Sequence, residues 1–116
     1  MLIEVCKSKI AHATITEAQL MYEGSITVDA KLLKAVGIIE GESVEVLNLH
    51  NGNRFRTYAI AGKPGSGEIC LNGPAARMGL IGDKIIILSY ALLTPRETKT
   101  FKMKIIHCNE SNQIKR

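Results

Sequence analysis

The 116-residue sequence lacks any apolar run of the roughly 18 residues that a membrane-spanning helix requires. Its longest apolar stretch lies within residues 84–93 and is interrupted by polar side chains, which is typical of a buried strand. The N-terminal segment, Met1 to Val5, lacks the charged start and the long apolar middle of a signal peptide. These absences predict no membrane association and a cytoplasmic location.

Metal-binding and redox motifs are also missing. The sequence has three cysteines at wide spacing without a Cys-x-x-Cys pair, and its three histidines lack the spacing of a metal site. We therefore expect no metal, and we expect the cysteines to be small buried side chains in a reducing compartment.

Motifs for nucleotides and for serine hydrolysis are absent as well. The glycine-rich segment 62–67 does not match a phosphate-binding loop or a dinucleotide fingerprint, and Ser25 lacks a Gly-x-Ser-x-Gly context. The net charge of +4 is mildly basic, but the lysines and arginines are scattered along the chain. This distribution argues against a nucleic-acid partner.

Short β segments separated by turns dominate the sequence. Asp29 is a predicted helix N-cap, followed by a short helix over residues 30–36 that ends at Gly37. Asn51-Gly52 is a hairpin signal, and Pro74 suits the start of a single helical turn. The predicted strands cover residues 12–16, 25–28, 42–49, 53–60, 68–71, 84–92 and 103–107.

This pattern predicts an all-β fold over a single domain, residues 1–116, with short helices. A small closed β-barrel would remove the edges that such apolar strands could not leave open. The polar tail, residues 109–116, is expected to fray.

One dipeptide, Gly24-Ser25, has a further chemical possibility. A serine hydroxyl can attack the preceding carbonyl if the backbone is strained, and glycine tolerates rare backbone angles. Elimination of the resulting ester leaves dehydroalanine, which hydrolyses to a pyruvoyl group and ammonia. Because Gly-Ser is a common turn dipeptide, this pair alone does not identify self-cleavage.

Several ordered and correctly spaced segments carry a more specific resemblance over about residues 1–92. They are Lys9-Ile10, Thr16, Ala18, Leu20, Tyr22-Glu23-Gly24-Ser25, Asn51-Gly52, Arg54-Phe55, Thr57-Tyr58-Ala59-Ile60, Asn72-Gly73-Pro74-Ala75-Ala76 and Gly82-Asp83 with the isoleucine run after it. In these segments the sequence resembles the bacterial pyruvoyl-dependent L-aspartate α-decarboxylases.

The resemblance implies a six-stranded double-psi β-barrel that forms a homotetramer with active sites between subunits. It implies self-cleavage into residues 1–24 and 25–116, with a covalent pyruvoyl group derived from Ser25 and no pyridoxal phosphate or metal. Through a Schiff base with the substrate amine, this group would convert L-aspartate to β-alanine and CO2. The product would feed pantothenate and coenzyme A synthesis.

The resemblance also assigns residue roles. Arg54 would bind the side-chain carboxylate of aspartate, since its planar fork suits bidentate binding. Lys9 would be a second cation, Tyr58 the proton donor, and Thr57 the group that stabilises the oxyanion of Gly24 during cleavage. The remaining candidates are the substrate-side wall of Asn72, Gly73, Ala75 and Ala76, and Tyr22 beside the cleavage point.

Two features complicate this assignment. The family often has Lys-Ile-His-Arg near its start, whereas Ala11 and His12 follow Lys9-Ile10 here, so the histidine role could pass to His12. Strand alternation also places Arg54, Arg56 and Tyr58 on one face and Thr57 on the other. Either this strand bulges or twists, or a neighbouring subunit completes the site.

Two other interpretations stay open. A non-enzymatic barrel could bind DNA through phosphate contacts from Arg54, Arg56, Lys63 and Arg77. A homologue that has lost self-processing could keep the fold without the pyruvoyl group. An intact Gly24–Ser25 bond in the purified protein would favour either of these over the enzyme.

Overall fold

The computed structural model describes residues 1–115. The strands are β1 (Ile3–Thr14), β2 (Glu17–Gln19), β3 (Ser25–Asp29), β4 (Ser43–Asn48), β5 (Arg54–Gly62), β6 (Ile69–Asn72), β7 (Lys84–Leu93) and β8 (Lys104–His107). The helices are α1 (Ala30–Val36), a 3-10 helix (Gly73–Arg77) and α2 (Pro95–Thr98). The longest of these helices has seven residues, and none within residues 1–115 could cross a membrane.

The eight strands form one sheet in the order β2-β6-β3-β5-β4-β7-β1-β8. Only residues 15 and 16 separate β1 from β2, yet these strands lie near opposite ends of that order. The sheet must therefore curl round on itself, as expected for a small β-barrel. The predicted mainly β fold is confirmed.

The structure has eight strands, whereas the sequence pattern predicted seven and the resemblance implied a six-stranded barrel. β2 continues the path of β1 after a two-residue break, and it pairs with β6 instead of β7. β8 adds a parallel strand to the outer edge of β1. Counting β1 and β2 as one interrupted strand and setting β8 aside leaves six strands in the curled part of the sheet.

The barrel core consists of aliphatic side chains from most of the strands. On β4, the side chains of Val44, Val46 and Asn48 are buried, while those between them are more accessible. This period of two follows from the alternation of side chains along a strand. Each fully buried aliphatic side chain contributes about 1.5–3 kcal/mol to stability, and Ile10 and Ile87 are among those with no exposed surface.

Helix α1 begins and ends where the sequence predicts. The side chain of Asp29 accepts a hydrogen bond from the Lys31 N–H, and Gly37 ends the helix with a φ of 74°. The same carboxylate accepts hydrogen bonds from the N–H groups of Gly65 and Gly67. Asp29 thus caps the helix and also fastens the loop between β5 and β6.

The hairpin between β4 and β5 is confirmed, but its turn is longer than two residues. Asn48 N–H donates to the Asn53 carbonyl at 2.9 Å and Gly52 N–H donates to the Asn48 carbonyl at 3.0 Å. The side-chain amides of Asn48, Asn51 and Asn53 all donate to the carbonyl of Met78. The turn therefore holds the chain just after the 3-10 helix in place.

The tail does not fray as predicted over residues 109–115, and Arg116 lies outside the described residues. Asn112 is buried; its side-chain amide donates to the carbonyls of Thr14 and Gly67 and accepts from the Thr14 N–H. Cys108 and Ile114 form an isolated antiparallel bridge. The polar composition of the tail suggested disorder, but the Asn112 side chain forms hydrogen bonds with backbone groups of Thr14 and Gly67 and so holds the tail against the barrel.

Candidate active site

The peptide between Gly24 and Ser25 has an unusual backbone geometry. Gly24 has a φ of 127° and Ser25 a φ of 147°. Such angles are costly for a residue with a side chain, and Ser25 is one of only three non-glycine residues within residues 1–115 with a positive φ. Backbone strain of this kind costs on the order of 1–3 kcal/mol and is concentrated at functional sites.

The Ser25 hydroxyl is buried and held by a neighbouring strand. Ser25 opens β3 and lies opposite Asn72, the last residue of β6. The Asn72 side-chain amide donates to Ser25 Oγ and to Thr27 Oγ1, both at 2.9 Å, and its oxygen accepts from Cys70 Sγ at 3.2 Å. Asn72 therefore restrains the hydroxyl oxygen of Ser25, the residue that directly follows Gly24.

Gly73 brings a second backbone segment against the same junction. It has a φ of 64°, and a Cβ atom at this position would lie 2.6 Å from the Tyr22 carbonyl oxygen and 2.8 Å from the Gly24 nitrogen. Any side chain would push these backbone atoms apart. The glycine is thus required for the close packing of the turn after β6 against the Gly24–Ser25 peptide.

A cleft of about 480 Å³ opens beside this peptide. Three parts of the chain line it: residues 23–25, residues 55–58 of β5, and the segment that contains Pro74, Ala75 and Met78. The cleft is large enough for an amino acid. Its titratable side chains within the described part of the chain are those of Glu23, Arg56 and Tyr58.

The position of the cleft follows from how β5 is paired. β5 pairs with β4 over residues 54–58 but with β3 only over residues 59–62, so one edge of its first half lacks a strand partner. Ala59 exchanges backbone hydrogen bonds with the turn before β4, so the backbone groups of Arg56 and Tyr58 point towards the opposite edge. The cleft lies along this open edge.

This arrangement resolves the difficulty raised by strand alternation for Thr57 and Tyr58, but not for Arg54, which lies outside the cleft. Thr57 and Tyr58 extend from opposite faces of β5, yet both line the cleft because it follows the edge of the strand and not one face. Within the described residues, the pairing of β5 with β4 shows no register shift. Neither a bulge nor a neighbouring subunit is needed to bring these two residues to Ser25.

Arg54 does not line this cleft. Its Nε lies 3.1 Å from one carboxylate oxygen of Glu45, and the other oxygen of that carboxylate accepts a hydrogen bond from the Tyr90 hydroxyl. The hydrogen bond from Tyr90, with that from Arg54, lowers the pKa of Glu45. Arg54, the side chain predicted to bind the substrate carboxylate, is therefore paired with Glu45 of its own chain.

Three further candidates also lie outside the cleft. Lys9 is on β1, between Leu88 of β7 and Ile105 of β8. His12 is exposed at a register shift of β1, with a φ of 62° and its ring 6.2 Å from that of His107. Ala76 packs partly against the core.

The structure thus gathers one subset of the predicted residues around the Gly24–Ser25 peptide. Thr57, Tyr58 and Ala75 line the cleft, Asn72 and Gly73 contact the junction directly, and the exposed Tyr22 precedes it.

Sequence reasoning missed Arg56 and Glu23 as cleft residues. Alternation on β5 placed Arg56 on the face of Tyr58, which was the signal that could have identified it. Among residues 1–115, no group of three or more histidine, cysteine, aspartate or glutamate side chains could hold a metal ion.

The fold and the cleft define a small β-barrel protein with a buried serine of unusual backbone geometry at the start of β3, beside an open cleft. The sequence model of the family described as Aspartate decarboxylase matches residues 1–115. The chain is 57% identical over 114 residues to "Aspartate 1-decarboxylase" of Caldicellulosiruptor saccharolyticus, which covers 98% of this chain and 89% of that protein.

Similar matches come from other bacteria. The identity is 53% over 114 residues to "Aspartate 1-decarboxylase" of Acetivibrio thermocellus, covering 98% of this chain and 90% of that protein. It is 52% over 112 residues to the protein of the same name in Campylobacter fetus, covering 97% and 96%. The chain belongs to the aspartate decarboxylase family, which confirms the resemblance found in the sequence.

Proposed function

We propose that this protein decarboxylates L-aspartate to β-alanine and CO2, using a pyruvoyl group that it makes from Ser25 by cutting its own chain after Gly24. The observation that carries this function is the pair of positive φ angles at Gly24 and Ser25, with the buried Ser25 hydroxyl held beside an open cleft. The mature protein would consist of residues 1–24 and 25–116, and β-alanine would serve pantothenate and coenzyme A synthesis.

Cleavage would begin at the strained junction. Ser25 Oγ attacks the Gly24 carbonyl carbon, and the peptide nitrogen leaves as the amine of an ester-linked Ser25. Loss of the Ser25 Cα proton then expels the Gly24 carboxylate and leaves dehydroalanine. Water converts this residue to the pyruvoyl group and releases ammonia, so that all atoms are accounted for.

The residues around the junction have distinct roles in this reaction. Asn72 holds Ser25 Oγ in place, and the contact of Gly73 with Gly24 restrains the peptide from relaxing. Thr57 lines the cleft beside Gly24 and would donate its hydroxyl hydrogen to the oxyanion. The backbone N–H of Tyr58, which points to the same edge of β5, is a second available donor.

The residues present fit a pyruvoyl group at position 25. The site is buried at the start of β3, yet it opens into a cleft that can admit an amino acid. The group supplies an electron-accepting ketone for decarboxylation of a bound amine, without pyridoxal phosphate or a metal. Tyr58, 43% exposed and lining the cleft, would give a proton to the carbon that loses CO2.

We also propose that the active protein is a homotetramer in which a neighbouring subunit brings Lys9 and Arg54 to the cleft. Both lie away from Ser25 in their own chain, and an assembled site would explain their presence in the shared motif. Large apolar side chains are exposed and available for subunit contacts: Leu2, Met21, Ile39, Leu80, Ile81 and Leu92. A cytoplasmic location agrees with three free cysteines.

Mass spectrometry of the denatured protein tests the cleavage. We expect two fragments that separate after Gly24 and β-alanine formation from L-aspartate. Ser25→Ala should give one intact chain without activity, whereas Ser111→Ala, a control at an exposed serine, should be cleaved and active. A wild-type chain that stays whole after prolonged warming would reject the function and favour a binding module or a processing-dead homologue.

A further inference from the structure

Arg56 is a cation of the Ser25 cleft that the proposed function leaves without a role. It lies on β5 between Phe55 and Thr57, is exposed, and lines the cleft together with Tyr58. The ion pairs found among residues 1–115 join Lys7 to Glu42, Arg54 to Glu45 and Lys84 to Glu110. Arg56 takes part in none of them.

None of the acids around Arg56 forms an ion pair with it within the described residues, although its positive charge helps to lower the pKa of Glu45. Glu45 lies directly opposite on β4, but its carboxylate already accepts hydrogen bonds from Arg54 and Tyr90. Glu23 lines the same cleft, and Glu4 lines a second cleft to which Arg56 also contributes. Both glutamates lie outside the ion pairs of the described residues, so the guanidinium is available to an incoming anion.

The proposed substrate is such an anion. Aspartate has one carboxylate that is lost and one that must be held while its amine reacts at position 25. A cation that binds the retained carboxylate can orient the substrate without stabilising the carboxylate that leaves. A guanidinium suits this task because its planar fork binds a carboxylate bidentately.

We propose that Arg56 binds the side-chain carboxylate of the substrate from the same chain that carries Ser25, and so selects α-amino dicarboxylic acids. This role rests on the proposed function. Arg54 and Arg56 share one face of β5, about 7 Å apart along the strand, and of these two arginines only Arg56 lines the cleft.

Calorimetric binding of two simple carboxylates tests this role without turnover. Succinate has two carboxylates and butyrate has one, and neither has an amine that could react. We expect the wild-type protein to bind succinate about tenfold more tightly than butyrate, and Arg56→Gln to lose most of this preference. Arg96→Gln, the same charge change on exposed α2, should keep the preference, and Arg56→Lys should keep part of it.

Several results would overturn the role of Arg56. One is an unchanged succinate preference in folded Arg56→Gln, and another is a wild-type protein with no such preference. A preference that disappears in Arg54→Gln alone would assign the carboxylate to Arg54. A further outcome is that Arg56→Gln keeps the succinate preference but cuts the Gly24–Ser25 bond more slowly than the wild type. That result would place Arg56 at the carboxylate that cleavage leaves on Gly24.

The two hypotheses fail in different ways. If the wild-type chain remains intact, the pyruvoyl function is wrong, but the succinate measurement still decides what Arg56 binds. If the chain is cut and makes β-alanine while Arg56→Gln keeps its succinate preference, the function stands and only the role of Arg56 is wrong.

Discussion

Strand β3 buries a polar side chain at each end, Ser25 at its start and Asp29 at its finish. Asp29 accepts three backbone hydrogen bonds, one from α1 and two from the loop before β6. Ser25 instead has one side-chain partner, Asn72, a positive φ and an open cleft beside it. Burial alone therefore does not distinguish these two polar residues; the backbone strain and the open cleft beside Ser25 do.

The largest effect is expected at the structural end of β3. Asp29→Ala removes the acceptor for three backbone N–H groups, and the loss of cap and loop contacts should cost about 3 kcal/mol of stability. Urea unfolding in a Ser25→Ala background, where every chain is intact, measures this cost. Asp29→Asn keeps one acceptor oxygen and should lose less; an equal loss in both variants would contradict the hydrogen-bond explanation.

The next largest effect is expected at the Ser25 end of β3. Gly73→Ala adds a Cβ atom 2.6 Å from the Tyr22 carbonyl oxygen, and the displaced junction should be cut more slowly by a factor equivalent to about 2 kcal/mol. The rate of fragment formation measures this. Gly52→Ala is a matched control, because Gly52 has a φ of 75° but open space around it. Equal cleavage rates in the two variants would show that the contact with Gly24 is irrelevant.

A smaller effect should reveal the strain itself. Ser25→Ala and Ser25→Gly both remove the hydroxyl, but glycine accepts the φ of 147° with less steric cost. We expect Ser25→Gly to be more stable than Ser25→Ala by about 1 kcal/mol in urea unfolding. If Ser25→Gly is less stable than Ser25→Ala, the backbone at Ser25 is not strained. Backbone strain would then not distinguish the Ser25 end of β3 from the Asp29 end.

The smallest effect is a pH-dependent change in stability that arises from Glu42, another carboxylate with several hydrogen-bond partners. Burial alone would raise its pKa, but hydrogen bonds from Ser89, Lys7 and Ile39 outweigh burial and lower it below the ordinary value of 4.5. The resulting stability, up to about 1 kcal/mol, should be present above pH 4.5 and disappear as the pH falls through the lowered pKa. The stability difference between wild type and Glu42→Gln, measured from pH 7 to pH 3 in the Ser25→Ala background, should shrink accordingly. A constant difference would contradict this.

The sequence predicted features that depend on neighbouring residues. Helix α1 needs only Asp29 and Gly37 at its two ends, and both are adjacent to it in the chain. The exposed positions of Arg54, Arg56 and Tyr58 follow from the alternation of β5 alone. Such signals need no knowledge of the rest of the fold.

Features set by distant residues could not be predicted in this way. The cleft exists because β3 begins to pair with β5 only at Ala59, and no local pattern marks that position. Asn112 is ordered by Thr14, which lies 98 positions earlier, so the polarity of the tail was misleading. The ion pair between Arg54 and Glu45 likewise depends on the register between β4 and β5.

The path of the N-terminal segment has a consequence for a nicked molecule. β1 pairs with β7 and β8, and β2 pairs with β6. The strands that precede Gly24 are therefore hydrogen-bonded to strands that come after Gly24 in the sequence. A break after Gly24 would therefore release no peptide under native conditions. The two pieces would remain a non-covalent heterodimer that comes apart only when the whole barrel unfolds, and it would not readily reassemble from its separated parts.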